Sequence, residues 1–190
     1  MPRPRNHHQQ VREKIIRSAR RLFNRRGFNA VSIDQVMAEA GLTRGSFYSY
    51  FKTKSDLYAQ AVTSVVRENR DSASGHDQDR FSANRIVRNY LSVQHFEDID
   101  GGCPMIGLPS DISRTSQPVR EAFESALQLM IEMFERDIKA ADQSSRDRVL
   151  AIAALCVGGM VLARSVENRG LANDLREAAM NTALLLGGWQ

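Results

Sequence analysis

The stretch IDQVMAEAGLTRGSFYSYF, residues 33–51, carries the pattern that decides the fold. Its small and apolar residues recur at fixed offsets from the first position: Ile33, Val36, Met37, Ala40, Leu42 and Phe47. Gly41 interrupts the first half of the stretch. Two short helices that cross steeply need such a residue at the turn, because they share one small core. The stretch therefore predicts a helix-turn-helix.

Polar residues stand where each helix of this motif would begin. Ser32 precedes a predicted helix over residues 33–40, and Thr43 precedes a second over residues 44–50. Thr53, with an acidic residue three positions later, resembles a capping box that starts a longer helix ending near residue 69.

The segment before the motif predicts a first helix over residues 9–26, with Gly27 as its C-terminal stop. Its apolar stripe is narrow and consists of Ile15, Ala19, Leu22 and Phe23. The remaining positions are largely cationic. We therefore predict an N-terminal head of three helices in which Phe47 and Phe51 pack inward.

Charge is distributed unevenly along the chain. Residues 1–58 contain 12 Lys and Arg against 4 Asp and Glu, and residues 59–190 contain 14 against 18, so +8 is followed by −4. A basic end on an acidic remainder is expected of a protein that faces phosphates, although a charged run is also typical of a solvated face. The basic arm, residues 1–8 with Arg3 and Arg5, either enters a minor groove or serves as a solubilising tail.

The rest of the chain has helical spacing and lacks strand patterns, which predicts an all-α protein of about nine helices. Further helices are expected near residues 80–96, 117–141, 145–168 and 172–186, with a polar loop at 71–79. We find no signal peptide and no apolar span of membrane length, so a cytoplasmic protein is expected. Cys103 and Cys156 match neither a disulfide framework nor a zinc site, and no cofactor is expected.

Residues 30–36 (AVSIDQV) and 40–57 (AGLTRGSFYSYFKTKSDL) resemble the TetR/AcrR family of bacterial regulators. The resemblance covers roughly residues 10–60, and one departure is Met37, where the family commonly has alanine. It implies that residues 44–50 are a recognition helix in the major groove, that the protein is a dimer, and that a C-terminal domain binds a ligand that controls DNA affinity. We accordingly divide the chain into a DNA-binding domain, 1–53, and a ligand-binding and dimerisation domain, 54–190.

The candidate DNA-binding residues lie in and around the second helix of the motif: Ser32, Thr43, Arg44, Gly45, Ser46, Tyr48, Ser49, Tyr50, Lys52, Thr53 and Lys54. Helix starts favour phosphate oxygens, and Arg44 has the reach and the donors for a guanine. Gly45 lets the backbone approach the groove. Tyr48, Tyr50 and Lys52 resemble family positions that hold phosphates or thymine methyl groups, although Tyr50 is also compatible with a place in the core.

Apolar stripes on the last two predicted helices, 145–168 and 172–186, predict a four-helix interface between two copies of the chain. Gly158 and Gly159 are costly inside a helix, so we expect either a close approach of helices across that interface or a break in the helix. A dimer whose recognition helices lie one turn of DNA apart implies a roughly palindromic operator.

An unknown small-molecule effector would bind among the middle helices. Candidate pocket residues are Tyr90, Phe96, Met105, Phe123, Leu127 and Met130, all of which are equally suitable as plain core. Cys103 precedes a predicted short helix whose dipole would favour the thiolate, so a sensor of oxidants or electrophiles is an alternative.

Three further functions are compatible with parts of the sequence. An enzyme using Cys103 and His95 would need an orienting group and an oxyanion site that the sequence does not signal, so we predict no enzyme. A metal sensor would need ligands from a group of residues whose spacing matches no recognised metal site: His95, Glu97, Asp98, Asp100 and Cys103. A purely structural helical adaptor would lack salt-sensitive DNA binding. The favoured prediction is a repressor that leaves its operator when a small molecule binds.

Overall fold

The computed structural model describes residues 5–71, 82–103, 105, 112–138 and 143–189. Their elements are eight α-helices and one 3₁₀ helix: α1 (Arg5–Ala30), α2 (Ile33–Glu39), the 3₁₀ helix (Arg44–Ser49), α3 (Lys54–Asp71), α4 (Ala83–Tyr90), α5 (Val93–Glu97), α6 (Gln117–Ile138), α7 (Gln143–Arg164) and α8 (Arg169–Gly187). These ranges contain no strand, which confirms the predicted all-α class. The predicted loop at 71–79 lies almost wholly outside the described residues.

Two compact units make up the chain. The first contains Met1–Val65 and Cys103–Ser125, and the second contains Val66–Gly102 and Ala126–Gln190. These units are defined by the contacts between their residues, whereas the predicted division after residue 53 separates a DNA-binding function from ligand binding and dimerisation. That division stays a prediction.

The first helix starts earlier than the sequence suggested. α1 begins at Arg5, so residues 5–8 of the predicted arm form its first turn, and Arg3 lies outside the described residues. The ring of His8 stacks on Tyr50 with centroids 4.5 Å apart, which gives this turn a packing partner that sequence spacing does not reveal. Gly27, at φ 80° and ψ 163°, is non-helical, so the helix is kinked at the predicted stop although α1 continues to Ala30.

The core shared by the three-helix head and the start of α3 is apolar and closed to solvent. It is formed by side chains at most 2% exposed: Ile15, Ala19, Phe23, Val36, Met37, Phe47, Phe51, Leu57 and Tyr58. The rings of Phe47 and Phe51 lie 5.7 Å apart, as expected for packing residues. Gly41 has φ +66°, a left-handed conformation that a side chain would strain, and it turns the chain from α2 toward the 3₁₀ helix.

Two predicted helix boundaries in the second unit were wrong for the same reason. The helix expected over residues 80–96 is divided into α4 and α5 at Ser92, whose Oγ accepts a hydrogen bond from His95 N at 3.0 Å. The last helix begins at Arg169, because Asn168 Oδ1 accepts from Leu171 N at 3.1 Å. In both places a polar side chain caps a helix that periodicity alone did not delimit.

The adjacent glycines of α7 differ in their surroundings. A Cβ on Gly159 would lie 2.6 Å from Ala179 Cβ and 3.4 Å from Leu91 Cδ2, whereas a Cβ on Gly158 would meet nothing within 4 Å. The close approach at Gly159 is therefore between α7 and α8 of one chain, and not across an interface as expected. The helix is also unbroken there, so the alternative of a break was wrong.

No helix among the described residues combines the length and the apolar character needed to cross a membrane.

Candidate nucleic-acid interface

α2 begins with the capping box that its sequence allows. Ser32 Oγ accepts from Gln35 N at 3.2 Å, and Ser32 N donates to Gln35 Oε1 at 2.8 Å. Both side chains are exposed at a helix N-terminus, where an anion is favoured. The predicted start at Ile33 is confirmed.

The predicted recognition helix is a 3₁₀ helix and ends at Ser49. Thr43 occupies the N-cap position, but its side chain makes no capping bond, which corrects the expectation from sequence. Instead its carbonyl accepts from Ser46 N at 3.1 Å and from Ser46 Oγ at 2.7 Å. Bonds between residues three apart close the tighter 3₁₀ turn, and a six-residue segment with one glycine and two serines has little propensity to extend it.

The 3₁₀ helix presents a polar side to solvent and an apolar side to the core. Arg44, Gly45, Tyr48 and Ser49 are exposed, with Tyr48 62% exposed, while Phe47 is buried. Ser46 and Tyr50 are half-buried. Tyr50 lies under the His8 ring rather than in the interior, so the alternative that placed it in the core was wrong.

Lys52, Thr53 and Lys54 connect the motif to α3. Thr53 Oγ1 accepts from Asp56 N at 3.0 Å, which confirms the predicted cap, but Asp56 Oδ2 accepts from Lys52 N at 3.1 Å rather than from Thr53 N. Lys52 is exposed. Lys54 is half-buried with its Nζ 4.3 Å from the centroid of the Phe28 ring, and burial lowers its pKa below the ordinary 10.5. Lys54 is thus the least accessible cation of the set.

An ion pair joins the two helices of the motif and was missed by sequence reasoning. Arg44 Nη1 donates to Asp34 Oδ2 at 2.6 Å, from the first residue of the 3₁₀ helix to the first turn of α2. Opposite charges at the N-terminal ends of both helices were visible in the sequence. Their contact depends on the angle at which the helices cross, which the sequence does not give.

Exposed cations surround the motif in the first unit. They are Lys14, Arg17, Arg21, Arg25 and Arg26 on α1, together with Arg44 and Lys52. Asp34 pairs with Arg44, and Glu39 lies 3.8 Å from Arg21, so the acidic side chains of α2 are matched by basic ones. The unit carries the positive surface that a phosphate backbone attracts.

Comparison with known proteins agrees with this geometry. The family model for bacterial regulatory proteins of the tetR family matches residues 15–61. The HTH-type transcriptional regulator LmrA of Bacillus subtilis (strain 168) is 26% identical over 166 residues, which cover 83% of this chain and 88% of LmrA. AcrR of Shigella flexneri, another HTH-type transcriptional regulator, is 40% identical over 52 residues, 27% of this chain and 24% of AcrR.

The fold agrees as well. The crystal structure of Escherichia coli NemR in its reduced form has a TM-score of 0.72 to this chain at 17% identity, covering 93% of this chain and 97% of NemR. Residues 15–61 belong to the tetR family of bacterial regulatory proteins.

The chain is a DNA-binding transcriptional regulator and not an enzyme, because the relatives that it matches over most of their length are regulators. The family resemblance seen in the sequence and the predicted fold are both confirmed. The individual DNA contacts, the effector and the dimer stay predictions.

The predicted ligand-pocket residues fall in both compact units. Tyr90, Phe96, Leu127 and Met130 belong to the second unit, and Met105 and Phe123 belong to the first. Tyr90, Met105 and Met130 are buried. The ring of Phe96 lies 5.5 Å from the guanidinium carbon of Arg169 and equally far from that of Arg176.

Neither cysteine is exposed. Cys103 is 7% exposed, and burial raises the pKa of Cys156 to about 12. His95 Nδ1 donates to the carbonyl of Tyr90 at 2.7 Å, and its pKa lies below the ordinary 6.5, mainly because of burial. Within the described residues no three His, Cys, Asp or Glu side chains come together as a metal site requires.

Proposed function

We propose that this protein is a ligand-responsive repressor that binds a palindromic operator as a homodimer and dissociates when a small molecule binds residues 54–190. The observation that carries the proposal is the exposed polar side of the 3₁₀ helix, Arg44 to Ser49, on a buried apolar base and among exposed cations of α1. Repression is the simpler outcome, since occupation of promoter DNA is enough to exclude polymerase.

Each DNA-facing residue has a proposed role. Arg44 and Ser46 contact base edges, and Gly45 admits the backbone to the groove. The others hold phosphates or thymine methyl groups: Ser32, Thr43, Tyr48, Ser49, Tyr50, Lys52, Thr53 and Lys54. Arg44, Tyr48 and Lys52 are exposed, which supports their proposed contacts with DNA. The Lys54 ammonium lies over the Phe28 ring, so we place its phosphate contact at the edge of the interface.

The test compares Arg44→Ala with Lys52→Ala on duplexes selected by the wild-type protein from a random pool. Arg44→Ala should lose about 1 to 3 kcal/mol of discrimination at one base pair. Lys52→Ala should weaken binding to every duplex and reduce the salt dependence by about one phosphate contact. Equal, sequence-independent losses from both variants would contradict the assignment.

The homodimer would form through α7 and α8, the helices predicted over 145–168 and 172–186. Leu162 on α7 is 55% exposed and Leu185 on α8 is 62% exposed, and both are large apolar side chains. Two such helices from each copy would bury this surface in a four-helix interface.

The effector is proposed to be a small molecule bound by side chains of residues 54–190, with the six predicted pocket residues as candidates. The buried position of Cys103 does not favour the thiol-sensor alternative, and the described residues offer no metal site. A panel of small molecules, scored by release of the fluorescent selected duplex, tests the proposal. A protein that binds operator DNA would act in the bacterial cytoplasm.

A further inference from the structure

The Asp34–Arg44 pair places an acidic side chain on the surface that is otherwise suited to DNA. Arg44 Nη1 lies 2.6 Å from Asp34 Oδ2, and the two side chains are 61% and 53% exposed. Ion pairs this exposed contribute little to folding stability, because water screens both charges. A carboxylate beside the expected phosphate backbone also repels DNA, so the pair needs another explanation.

The geometry of the bond supplies one. A guanidinium recognises guanine by two parallel N–H bonds to O6 and N7, which requires a fixed orientation of its plane. Asp34 holds Arg44 by Nη1, which leaves the edge formed by Nε and Nη2 for a base. Without Asp34, a long and exposed arginine samples many rotamers and also binds any nearby phosphate as a simple cation.

We infer that Asp34 is a specificity-determining residue that positions Arg44 for a base and suppresses its binding to phosphates. The inference rests on the proposed role of Arg44. The backbone supports it: Asp34 lies in the first turn of α2, fixed by the Ser32 capping box, and Arg44 opens the 3₁₀ helix across the Gly41 turn. Both ends of the pair are therefore attached to ordered backbone.

Glu39 offers a matched control on the same helix. It is exposed, lies 3.8 Å from Arg21, and has the same charge as Asp34, but its partner is on α1 rather than in the motif. Replacing either acid removes one negative charge from α2. Only replacement of Asp34 releases Arg44.

The experiment measures the affinity of the full-length protein for the duplex selected by the wild type and for a scrambled duplex of equal length and composition, at one fixed salt concentration. The variants are Asp34→Ala, Asp34→Asn, Glu39→Ala and Arg44→Ala, each checked for wild-type thermal unfolding. Asp34→Ala should lower the ratio of the two affinities roughly 5- to 150-fold, the range that one bidentate contact provides.

When the base pairs of the selected duplex are replaced one at a time, the loss should fall on the base pair at which Arg44→Ala also loses discrimination. Asp34→Asn should lose less, because its amide oxygen still accepts a hydrogen bond, and Glu39→Ala should leave the ratio unchanged. A ratio retained in Asp34→Ala but lost in Arg44→Ala overturns the inference alone. A ratio retained in Arg44→Ala, with salt-sensitive binding intact, overturns the role of Arg44 and the inference with it.

Discussion

Two glycines of the motif have different physical roles, although both stand in the same nineteen-residue stretch. Gly41 has φ +66° and is needed for its backbone conformation. Gly45 has a negative φ, and a Cβ there would meet nothing within 4 Å. The contacts within the chain therefore give no reason for a glycine at position 45, and the proposed approach of this backbone to the DNA groove would supply one.

Gly45→Ala should fold as stably as the wild type or slightly better, by up to about 1 kcal/mol, and should bind the selected duplex more weakly because the added methyl group separates backbone and groove. Urea unfolding and fluorescence anisotropy measure the two effects. Gly41→Ala is the matched control, with a loss of about 1 to 2 kcal/mol of stability from left-handed strain. Wild-type DNA affinity in Gly45→Ala would show that this backbone does not approach the groove.

The lowered pKa of His95 predicts that acid reduces the stability of the protein. Burial is the main cause that lowers its pKa below 6.5, and Arg164 lowers it further, while the Tyr90 carbonyl and Asp98 act in the opposite direction. The folded state therefore binds fewer protons than the unfolded chain once the pH falls below 6.5, and stability falls with it. His95→Gln keeps a donor for the Tyr90 carbonyl and removes this titration.

The difference in unfolding free energy between about pH 7.5 and pH 5.5 should be smaller in His95→Gln than in the wild type. Urea titrations at both pH values measure it. His7→Gln replaces an exposed histidine and should keep the wild-type difference. An unchanged difference in His95→Gln would mean that other groups carry the acid sensitivity.

At the residue scale, the sequence predicted local bonds better than distant ones. The caps at Ser32 and Thr53 depend on residues three positions away and were found. The predicted side-chain cap at Thr43 does not form, because the segment adopts the tighter 3₁₀ turn. The contacts of Arg44 with Asp34 and of Tyr50 with His8 join different helices, so they require the packing angle that spacing along a sequence does not contain.

At the scale of elements, the contact of α7 with α8 depends on one glycine. A Cβ at position 159 would lie 2.6 Å from Ala179 Cβ, so Gly159→Ala should separate the helices and cost about 1 to 3 kcal/mol. Gly158→Ala, with no neighbour within 4 Å in the chain, should gain up to about 1 kcal/mol from helix propensity. Urea unfolding at several protein concentrations compares them. A concentration-dependent loss in Gly158→Ala would instead indicate a second chain against that position.

Hydrophobic spacing predicted which segments are helical, and capping side chains decided where two of the helices begin. Periodicity predicted one helix where the structure has two, divided at Ser92. Asn168 starts α8 ahead of Gly170, although Gly170 was expected to precede that helix. Apolar residues recur with the same period on both sides of Ser92, so the pattern alone could not locate the break. Helix existence is a property of many residues, whereas a helix end depends on one or two hydrogen bonds.

At the scale of the whole molecule, the proposed dimer sets the spacing of the DNA site. Two recognition helices related by a twofold axis contact half-sites about one turn, or 34 to 36 Å, apart. Inserting about 5 base pairs between the half-sites of the selected duplex rotates one of them to the opposite side of the helix. Binding should then fall to the affinity for a single half-site.

The Leu185→Glu variant tests whether the dimer that sets this half-site spacing forms through α8. A carboxylate at a position that is 62% exposed in one chain costs little in the monomer, but burying it in an apolar four-helix interface is expensive. The variant should therefore sediment as a monomer, bind the selected duplex no better than a half-site, and be indifferent to the insertion. Val93→Glu, at a large apolar residue of α5 that is 52% exposed, is the control and should stay dimeric. A Leu185→Glu protein that remains dimeric and still loses affinity when the half-sites are moved apart would contradict the proposed interface. The dimer would then tolerate a charge on α8, so its interface would lie on another face of the protein.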